Sequence, residues 1–250
     1  MADEVLTEQR GQVLVITLNR PDAMNAIDTG LAQGLVAAME RLDQSRELAV
    51  GVLTGAGRGF SAGMDLKAFA SGGTPEGFQA FIRDGCRKPL IAAVEGFALA
   101  GGLEIALACD LIVAAKGARI GIPETRVGLF AGDGGLYRLP DQLPYSITME
   151  ITLTTEPISA EQAHAYGLVS RVSEKGAALE GALDLAQRIA RNAPLGVAAS
   201  KQLVRASRGA TEEEFWALQV PVVTDVFGSA DAQEGARAFI EKREPTWSGQ

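Results

Sequence analysis

Histidine and cysteine are scarce in this sequence, which has one histidine and two cysteines among 250 residues. A zinc site normally needs three or four His, Cys or acidic ligands, so His164 with Cys86 and Cys109 predicts no metal centre. Two cysteines also make no disulfide framework, and we interpret both as buried free thiols in a reducing cytosol. His164 falls in a predicted helix, where we expect a structural or surface role.

A basic surplus and an uninterrupted apolar run are also missing. The net charge is −8 and the isoelectric point is near 4.9, so no positive field exists to attract nucleic acid. The most apolar stretch, residues 89–115, contains Glu95, Glu104 and Asp110, which argues against a membrane span. The first four residues carry two acids, Asp3 and Glu4, and lack the layout of a secretory signal. We therefore expect a cytoplasmic protein with neither nucleic-acid nor membrane partners.

Apolar runs and helical patterns alternate in the first half of the chain. Strands are predicted at residues 12–18, 49–53, 90–94 and 111–114, and helices at 29–45 and 101–109, with Asp28 and Thr29 as helix caps. This alternation predicts the α/β class with covered sheets. After residue 140 the pattern becomes helical, at 145–154, 160–166, 177–192, 195–207, 212–224 and 230–242, with only 168–172 resembling a strand.

A glycine-rich loop follows the second predicted strand. Its sequence from Gly59 to Gly63 matches G-x-S-x-G, the pattern around a hydrolase nucleophile. That motif requires a strand running directly into the serine turn, whereas here the strand ends near Thr54. The only histidine that could serve as its base is His164. The sequence therefore disfavours a serine hydrolase, and the loop also lacks the spacing of a dinucleotide site.

Two glutamates lie in apolar, glycine-rich surroundings. Glu104 comes one turn after Gly101, at the start of a predicted helix whose free amides and dipole favour a ligand or an anion there. Glu124 follows Pro123, which can open a helical turn. Either glutamate alone could simply complement a helix dipole. Together they suggest acid/base chemistry.

Three ordered motifs resemble the crotonase family, the enoyl-CoA hydratases and isomerases. They are FSAGMDL at residues 60–66, IAAVEGFALAGGLEIALACDLIVAA at 91–115, and GIPE at 121–124 followed by VGL at 127–129. Residues 19–21, 25–26, 160–169 and 239–249 extend the resemblance over nearly the whole chain. It implies a crotonase-like spiral of ββα units as a catalytic core at 1–194. It also implies a helical oligomerisation region at 195–250 that builds a homotrimer or homohexamer.

The resemblance also implies an acyl-CoA thioester as substrate, with coenzyme A as part of that substrate and no separate cofactor. Two backbone amides would hold the thioester oxygen, those of Met64 and Gly101. The adenine would lie against the Ala62 backbone, near Asp65, Leu66 and Lys67. Arg58 and Lys67 would be local cations for the phosphates, and Lys242 or Arg243 of a neighbouring subunit a weaker possibility.

By the same resemblance, Glu104 and Glu124 would hold one water, with Glu104 activating it and Glu124 donating a proton. This implies an enoyl-CoA hydratase, which adds water across the 2,3 double bond of a trans-2-enoyl-CoA. Several isomerase relatives carry an acid at the position matched by Gly132, whereas here the acid is Asp133, which we expect to bind amides of its own turn. Isomerase, substituted acyl-CoA dehydratase or racemase, and an idle acyl-CoA-binding protein remain alternatives.

Overall fold

The computed structural model describes residues 3–71 and 77–250, which form two sheets surrounded by helices. The strands are β1 (Val5–Arg10), β2 (Val13–Leu18), β3 (Val50–Gly55), β4 (Leu90–Val94), β5 (Phe97–Leu99), β6 (Leu111–Ala115), β7 (Arg119–Gly121), β8 (Ile158–Ser159) and β9 (Arg171–Ser173). The α-helices are α1 (Thr29–Gln44), α2 (Leu66–Ser71), α3 (Phe78–Asp84), α4 (Gly101–Ala108), α5 (Gly135–Gln142), α6 (Tyr145–Thr154), α7 (Ala160–Ala165), α8 (Ala178–Ala190), α9 (Pro194–Ala206), α10 (Glu212–Phe227) and α11 (Ala230–Glu241).

The larger sheet has the strand order β1-β2-β3-β4-β6-β9. Only the β1–β2 pair is antiparallel, and each later neighbour is parallel. The smaller sheet has the order β5-β7-β8, with β5 parallel to β7 and β8 antiparallel to it. Two single bridges hold the glycine-rich loop: Ser61 pairs with Ala98 of β5 in the smaller sheet, and Met64 pairs with Ile27, which precedes α1. The loop therefore lies between ordered segments on both sides.

Both faces of the central strands β2, β3, β4 and β6 are buried, which explains why these strands are apolar at nearly every position. On one face, Val52, Ile91 and Val113 pack against small residues of α8. On the other face, Leu53, Leu90 and Ile112 belong to the main core, which also contains the apolar sides of α1, α3 and α4. Successive strand residues point to opposite faces, so one continuous apolar run supplies two separate cores.

The last three helices are much less covered than the rest of the chain. Neither α9 nor α10 has a buried residue. Large apolar side chains are exposed along this region, at Val204, Trp216, Leu218, Val220, Phe227, Phe239 and Ile240. An exposed apolar surface of this extent is typical of a protein interface. Within the described ranges, no helix is both long and apolar enough to cross a membrane.

The sequence predicted the main elements well, and the α/β class is confirmed. Asp28 caps α1 by accepting a hydrogen bond from the Leu31 amide, as the capping pattern indicated. The predictions missed β1, the whole smaller sheet, and the helices α2, α3 and α5. Pro123 stands at the N-cap of a 3₁₀ helix, Glu124–Val127, rather than inside its first turn.

Candidate active site

A cavity of about 690 Å³ opens between the glycine-rich loop, the start of α4 and the segment from residue 123 to 133. Six of the predicted site residues line it: Ala62, Met64, Leu66, Gly101, Glu104 and Glu124. Arg58, Asp65 and Lys67 belong to the same loop region, but they are not among the lining residues that the structure describes. Arg58 and Lys67 are exposed beside the loop.

The backbone amides of Met64 and Gly101 meet at the wall of this cavity. Ile27 donates to the Gly63 carbonyl and accepts from the Asp65 amide, so the intervening N–H of Met64 points away from Ile27. Gly101 is the first residue of α4, where an amide has no acceptor within the helix. A methyl group built on Gly101 would lie 3.6 Å from the Met64 nitrogen, which shows how closely the two segments approach.

The backbone is strained where the segment that contains Met64 contacts the start of α4. Gly63 has φ +99°, and a Cβ there would lie 2.6 Å from the Ala100 Cβ and 3.0 Å from the Gly101 nitrogen, so only glycine fits. Ala100, the N-cap of α4, has φ 51°, an unfavourable value for a residue with a side chain. Such strain clusters at functional sites, because the surrounding structure must hold it in place.

Glu104 is buried beside the two amides and anchored by a separate loop. Its Oε1 accepts hydrogen bonds from the amides of Asp133, at 2.7 Å, and Gly135, at 2.8 Å. Burial raises the pKa of Glu104 to about 7, although the Gly135 amide opposes the rise, and the negative charges of Asp133 and Glu124 add to it. Both bonds use Oε1, which leaves Oε2 for another partner.

Glu124 faces the same cavity from the 3₁₀ helix Glu124–Val127. Both of its carboxylate oxygens are buried and lack a hydrogen-bond partner among the described residues. Burial raises the pKa of Glu124, its own backbone amide lowers it, and the charge of Asp133 raises it further. Burial therefore favours the protonated form of both acids, and a pair of acids in one cavity can supply one base and one acid.

The loop after Phe130 contributes more to this site than the sequence indicated. Gly132 and Asp133 both line the cavity, and the Asp133 side chain accepts a hydrogen bond from Gln79 at 2.9 Å. The expectation that Asp133 would bind amides of its own turn was wrong, because this partner lies 54 residues earlier in the chain. Its amide and that of Gly135 instead hold Glu104. Sequence reasoning missed these two amides as well as Gln79.

Two other sequence candidates have structural roles in the fold. Ser61 is fully buried, and its hydroxyl donates to the Asn25 carbonyl at 2.8 Å and accepts from the Gly63 amide. A nucleophile must be reachable, so this excludes the hydrolase interpretation. The Nδ1 of His164 lies 2.7 Å from the Val169 carbonyl oxygen beyond the end of α7. It is not among the described residues that line the cavity.

Two charged residues expected near the ligand, Asp65 and Arg243, have partners within the chain. Asp65 lies 3.2 Å from a guanidinium nitrogen of Arg20, and it also accepts from the Lys67 amide. Arg243 lies 2.6 Å from a carboxylate oxygen of each of Glu234 and Glu241. To bind a phosphate in a neighbouring subunit, Arg243 would have to break both ion pairs. This argues against Arg243 as a phosphate-binding residue.

Comparisons with known proteins agree with this geometry. The family model described as enoyl-CoA hydratase/isomerase matches residues 8–250. A carnitinyl-CoA dehydratase of Salmonella heidelberg is 40% identical over 264 residues, covering 100% of each chain. The enoyl-CoA hydratase EchA19 of Mycobacterium tuberculosis is 40% identical, over 98% of this chain and 96% of its own.

Solved structures give the same result at higher identity. An enoyl-CoA hydratase from Mycobacterium tuberculosis H37Rv is 50% identical with a TM-score of 0.95, over 99% of this chain and 100% of its own. The enoyl-CoA hydratase EchA1 from Mycobacterium marinum is 52% identical with the same TM-score and the same coverage. The crotonase-like fold predicted from the motifs is therefore confirmed. The chain belongs to the enoyl-CoA hydratase/isomerase family, the crotonases.

Proposed function

We propose that this protein is an enoyl-CoA hydratase, which adds water across the 2,3 double bond of a trans-2-enoyl-CoA. One observation carries the proposal: Glu104 and Glu124 line a single cavity beside the amides of Met64 and Gly101. The free carboxylate of Glu124 and the Oε2 of Glu104 are available to hold one water molecule between them. Acyl-CoA binding alone needs neither carboxylate, so an idle binding protein explains this arrangement poorly.

In the proposed reaction, Glu104 takes a proton from the water as its oxygen bonds to the β-carbon. The electrons of the double bond move towards the thioester oxygen, where the amides of Met64 and Gly101 stabilise the enolate. Glu124, in its protonated form, donates its proton to the α-carbon. The proton held by Glu104 then returns to Glu124, which restores the starting state. The pKa of Glu104, raised by burial to about 7, suits a base near neutral pH, and burial also raises the pKa of Glu124, which favours the protonated form that its role needs.

We further propose that the thioester enters past the glycine-rich loop. Ala62 and the half-exposed Leu66 line the cavity, and the pantetheine and adenine would lie beside them. The exposed side chains of Arg58 and Lys67 would meet the phosphates. The reaction as written uses no metal ion or redox cofactor, and coenzyme A enters only as part of the substrate.

Dehydration of a substituted acyl-CoA is the second candidate, because hydration is reversible and uses the same groups. The observation that favours it is the carnitinyl-CoA dehydratase relative, similar over the full length of both chains. An isomerase is disfavoured because Gly132 offers no acid at the position used by several relatives. Asp133, the neighbouring acid, accepts a hydrogen bond from Gln79.

We also propose a homotrimer, or a hexamer made of two trimers. The exposed apolar residues of α10 and α11, among them Trp216, Val220, Phe227 and Phe239, support this because a monomer would leave them in water.

The test is turnover on a panel of acyl-CoA esters that includes short trans-2-enoyl-CoA and carnitinyl-CoA. We expect Glu124→Gln to lower kcat by roughly 10²–10⁴-fold, the usual effect of losing an acid/base group, with little change in acyl-CoA binding. Glu150→Gln is the matched control, because Glu150 is exposed on α6. Near-normal turnover by Glu124→Gln on the best substrate would contradict the two-glutamate assignment.

A further inference from the structure

Asn25 is buried next to the glycine-rich loop, and its side chain makes several hydrogen bonds. It is 1% exposed, and its side-chain amide nitrogen lies 2.9 Å from the carbonyl oxygens of Ala56 and Gly59 and 3.1 Å from that of Phe60. Its side-chain oxygen accepts from the Arg20 amide at 2.9 Å. One side chain thus bonds to three carbonyls of the glycine-rich loop and to one amide of the turn that precedes α1.

The backbone around Asn25 is held in an unfavourable conformation. Met24 and Asn25 have φ values of 55° and 53°, both in the left-handed region that residues with a side chain seldom adopt. Asparagine tolerates this region better than most, since its side chain can bond to nearby backbone. Two successive residues of this kind persist only where the surroundings fix them, which is typical of functional segments.

Residues 24–27 run alongside residues 61–65 and are bonded to them at four points. Ala62 donates to the Met24 carbonyl, and the Ser61 hydroxyl donates to the Asn25 carbonyl. Further along, Ile27 donates to the Gly63 carbonyl and accepts from the Asp65 amide. Met64 lies inside this paired stretch, and its N–H faces the opposite side, towards the cavity. These bonds hold the backbone on both sides of that N–H.

An ion-pair cluster closes the far end of the same stretch. One guanidinium nitrogen of Arg20 lies 3.2 Å from Asp65 and 3.1 Å from Asp28, and the other donates to the Ala26 carbonyl. Arg20 thus joins the residue after Met64 to the start of α1. The loop is therefore held on both sides of Met64. The bond between Asn25 and Ser61 holds it before Met64, and the ion pair between Arg20 and Asp65 holds it after Met64.

We propose that Asn25 is a positioning residue for the thioester-oxygen site: its side chain fixes the turn that presents its backbone carbonyl to the Ser61 hydroxyl, and this pairing places the Met64 amide. This inference rests on the proposed function in that the Met64 and Gly101 amides bind the thioester oxygen. It also assigns a role to Ser61, which the G-x-S-x-G pattern had marked as a nucleophile. The Ser61 hydroxyl holds the loop next to Met64 and does not react.

The first test compares two variants that each remove one buried hydroxyl. Ser61→Ala deletes the bonds to Asn25 and Gly63, whereas Thr54→Val deletes a bond from Thr54 to the Ala93 carbonyl within the larger sheet. Loss of a whole oxyanion donor lowers kcat about 10²–10³-fold, and a displaced donor should cost less, on the order of 10-fold or more. We expect that loss in Ser61→Ala, with unchanged binding of a saturated acyl-CoA. Thr54→Val should keep wild-type kcat.

The second test measures the thioester carbonyl directly and needs no turnover. A saturated acyl-CoA labelled with ¹³C at the carbonyl is bound to each protein, and infrared spectroscopy reports its stretching frequency. Hydrogen bonds from the two amides should lower that frequency in the wild type and in Thr54→Val. The shift should shrink in Ser61→Ala and more in Asn25→Ala, and if Asn25→Ala does not fold, Ser61→Ala alone decides the matter.

The two proposals fail in different ways. A full frequency shift and wild-type kcat in Ser61→Ala would overturn the positioning role of Asn25. If the wild type shows the shift and Ser61→Ala reduces it, the positioning role stands even for a protein that hydrates no enoyl-CoA. In that case only the hydratase proposal is lost.

Discussion

Replacing Glu104 with glutamine should separate catalysis from stability, because the two effects have opposite signs. Glutamine keeps an oxygen that can accept from the amides of Asp133 and Gly135, which lie 2.7 Å and 2.8 Å from the present Oε1. The anchoring loop should therefore stay in place. Glutamine cannot take a proton from water, so we expect kcat to fall by roughly 10²–10⁴-fold.

The stability effect follows from the raised pKa of Glu104. Burial favours the protonated form, so the folded protein holds this proton up to about pH 7, whereas an unfolded chain releases it near 4.5. The wild type is thus most stable below pH 4.5 with respect to this group, and it loses that stability as the pH rises to about 7. The difference corresponds to about 3 kcal/mol as an upper bound.

Urea unfolding at pH 5 and pH 8 measures this directly. Glutamine carries no charge at either pH, so Glu104→Gln should gain stability relative to wild type on going from pH 5 to pH 8. Glu104→Ala is the control, because it leaves the amides of Asp133 and Gly135 without an acceptor, at about 1–3 kcal/mol each. A glutamine variant that keeps wild-type turnover refutes the catalytic role. One whose stability relative to wild type does not increase from pH 5 to pH 8 refutes the burial argument.

Three further predictions concern pH, Asp133 and assembly. Because Glu104 must be ionised to accept a proton and burial raises its pKa to about 7, kcat/KM should fall as the pH drops below about 7. Asp133→Asn removes a negative charge that raises the pKa of both glutamates, so the acid limb of that pH profile should move to lower pH; an unmoved limb contradicts the charge effect. The same variant should keep hydration within about tenfold of wild type, a barrier change near 1.4 kcal/mol or less, and a larger loss would make Asp133 catalytic. Light scattering at micromolar concentration should give the mass of a trimer or hexamer, and a monomeric mass would contradict the proposed interface.

Local sequence signals predicted the parts of the site that lie within one segment. Gly101 and Glu104 share the first turn of α4, and Glu124 stands in the turn after Pro123, so helix-start signals marked both acids. The central strands of the larger sheet, β2, β3, β4 and β6, were equally clear, because burial on both faces makes them almost continuously apolar. These features depend on residues a few positions apart.

The features that the sequence did not predict depend on distant contacts. The amides that anchor Glu104 come from residues 29 and 31 positions later, and the backbone N–H carries no residue-specific signal. The smaller sheet was missed because β5 and β7 have three residues each and β8 has two, too few for a period to appear. Helix α5 was missed because Pro140 interrupts its pattern.

The partners of two charged candidate residues were not predicted from the sequence. Asp65 was placed near the ligand by its motif, yet its carboxylate faces Arg20, 45 residues away. Arg243 was a candidate for phosphate binding, yet Glu234 and Glu241 engage it. A motif fixes the path of the backbone more firmly than it fixes the partner of an exposed charge.

The most direct test of the central claim is product analysis after the wild-type protein acts on a short trans-2-enoyl-CoA in ¹⁸O-labelled water. Mass spectrometry should show an ester that has gained one labelled water molecule, while the ultraviolet band of the enoyl thioester disappears at the same rate. The corresponding 3-enoyl-CoA should react slowly or not at all. A change from the 3-enoyl to the 2-enoyl ester without change in mass, faster than water addition and abolished in Asp133→Asn, would contradict the hydratase proposal in favour of an isomerase.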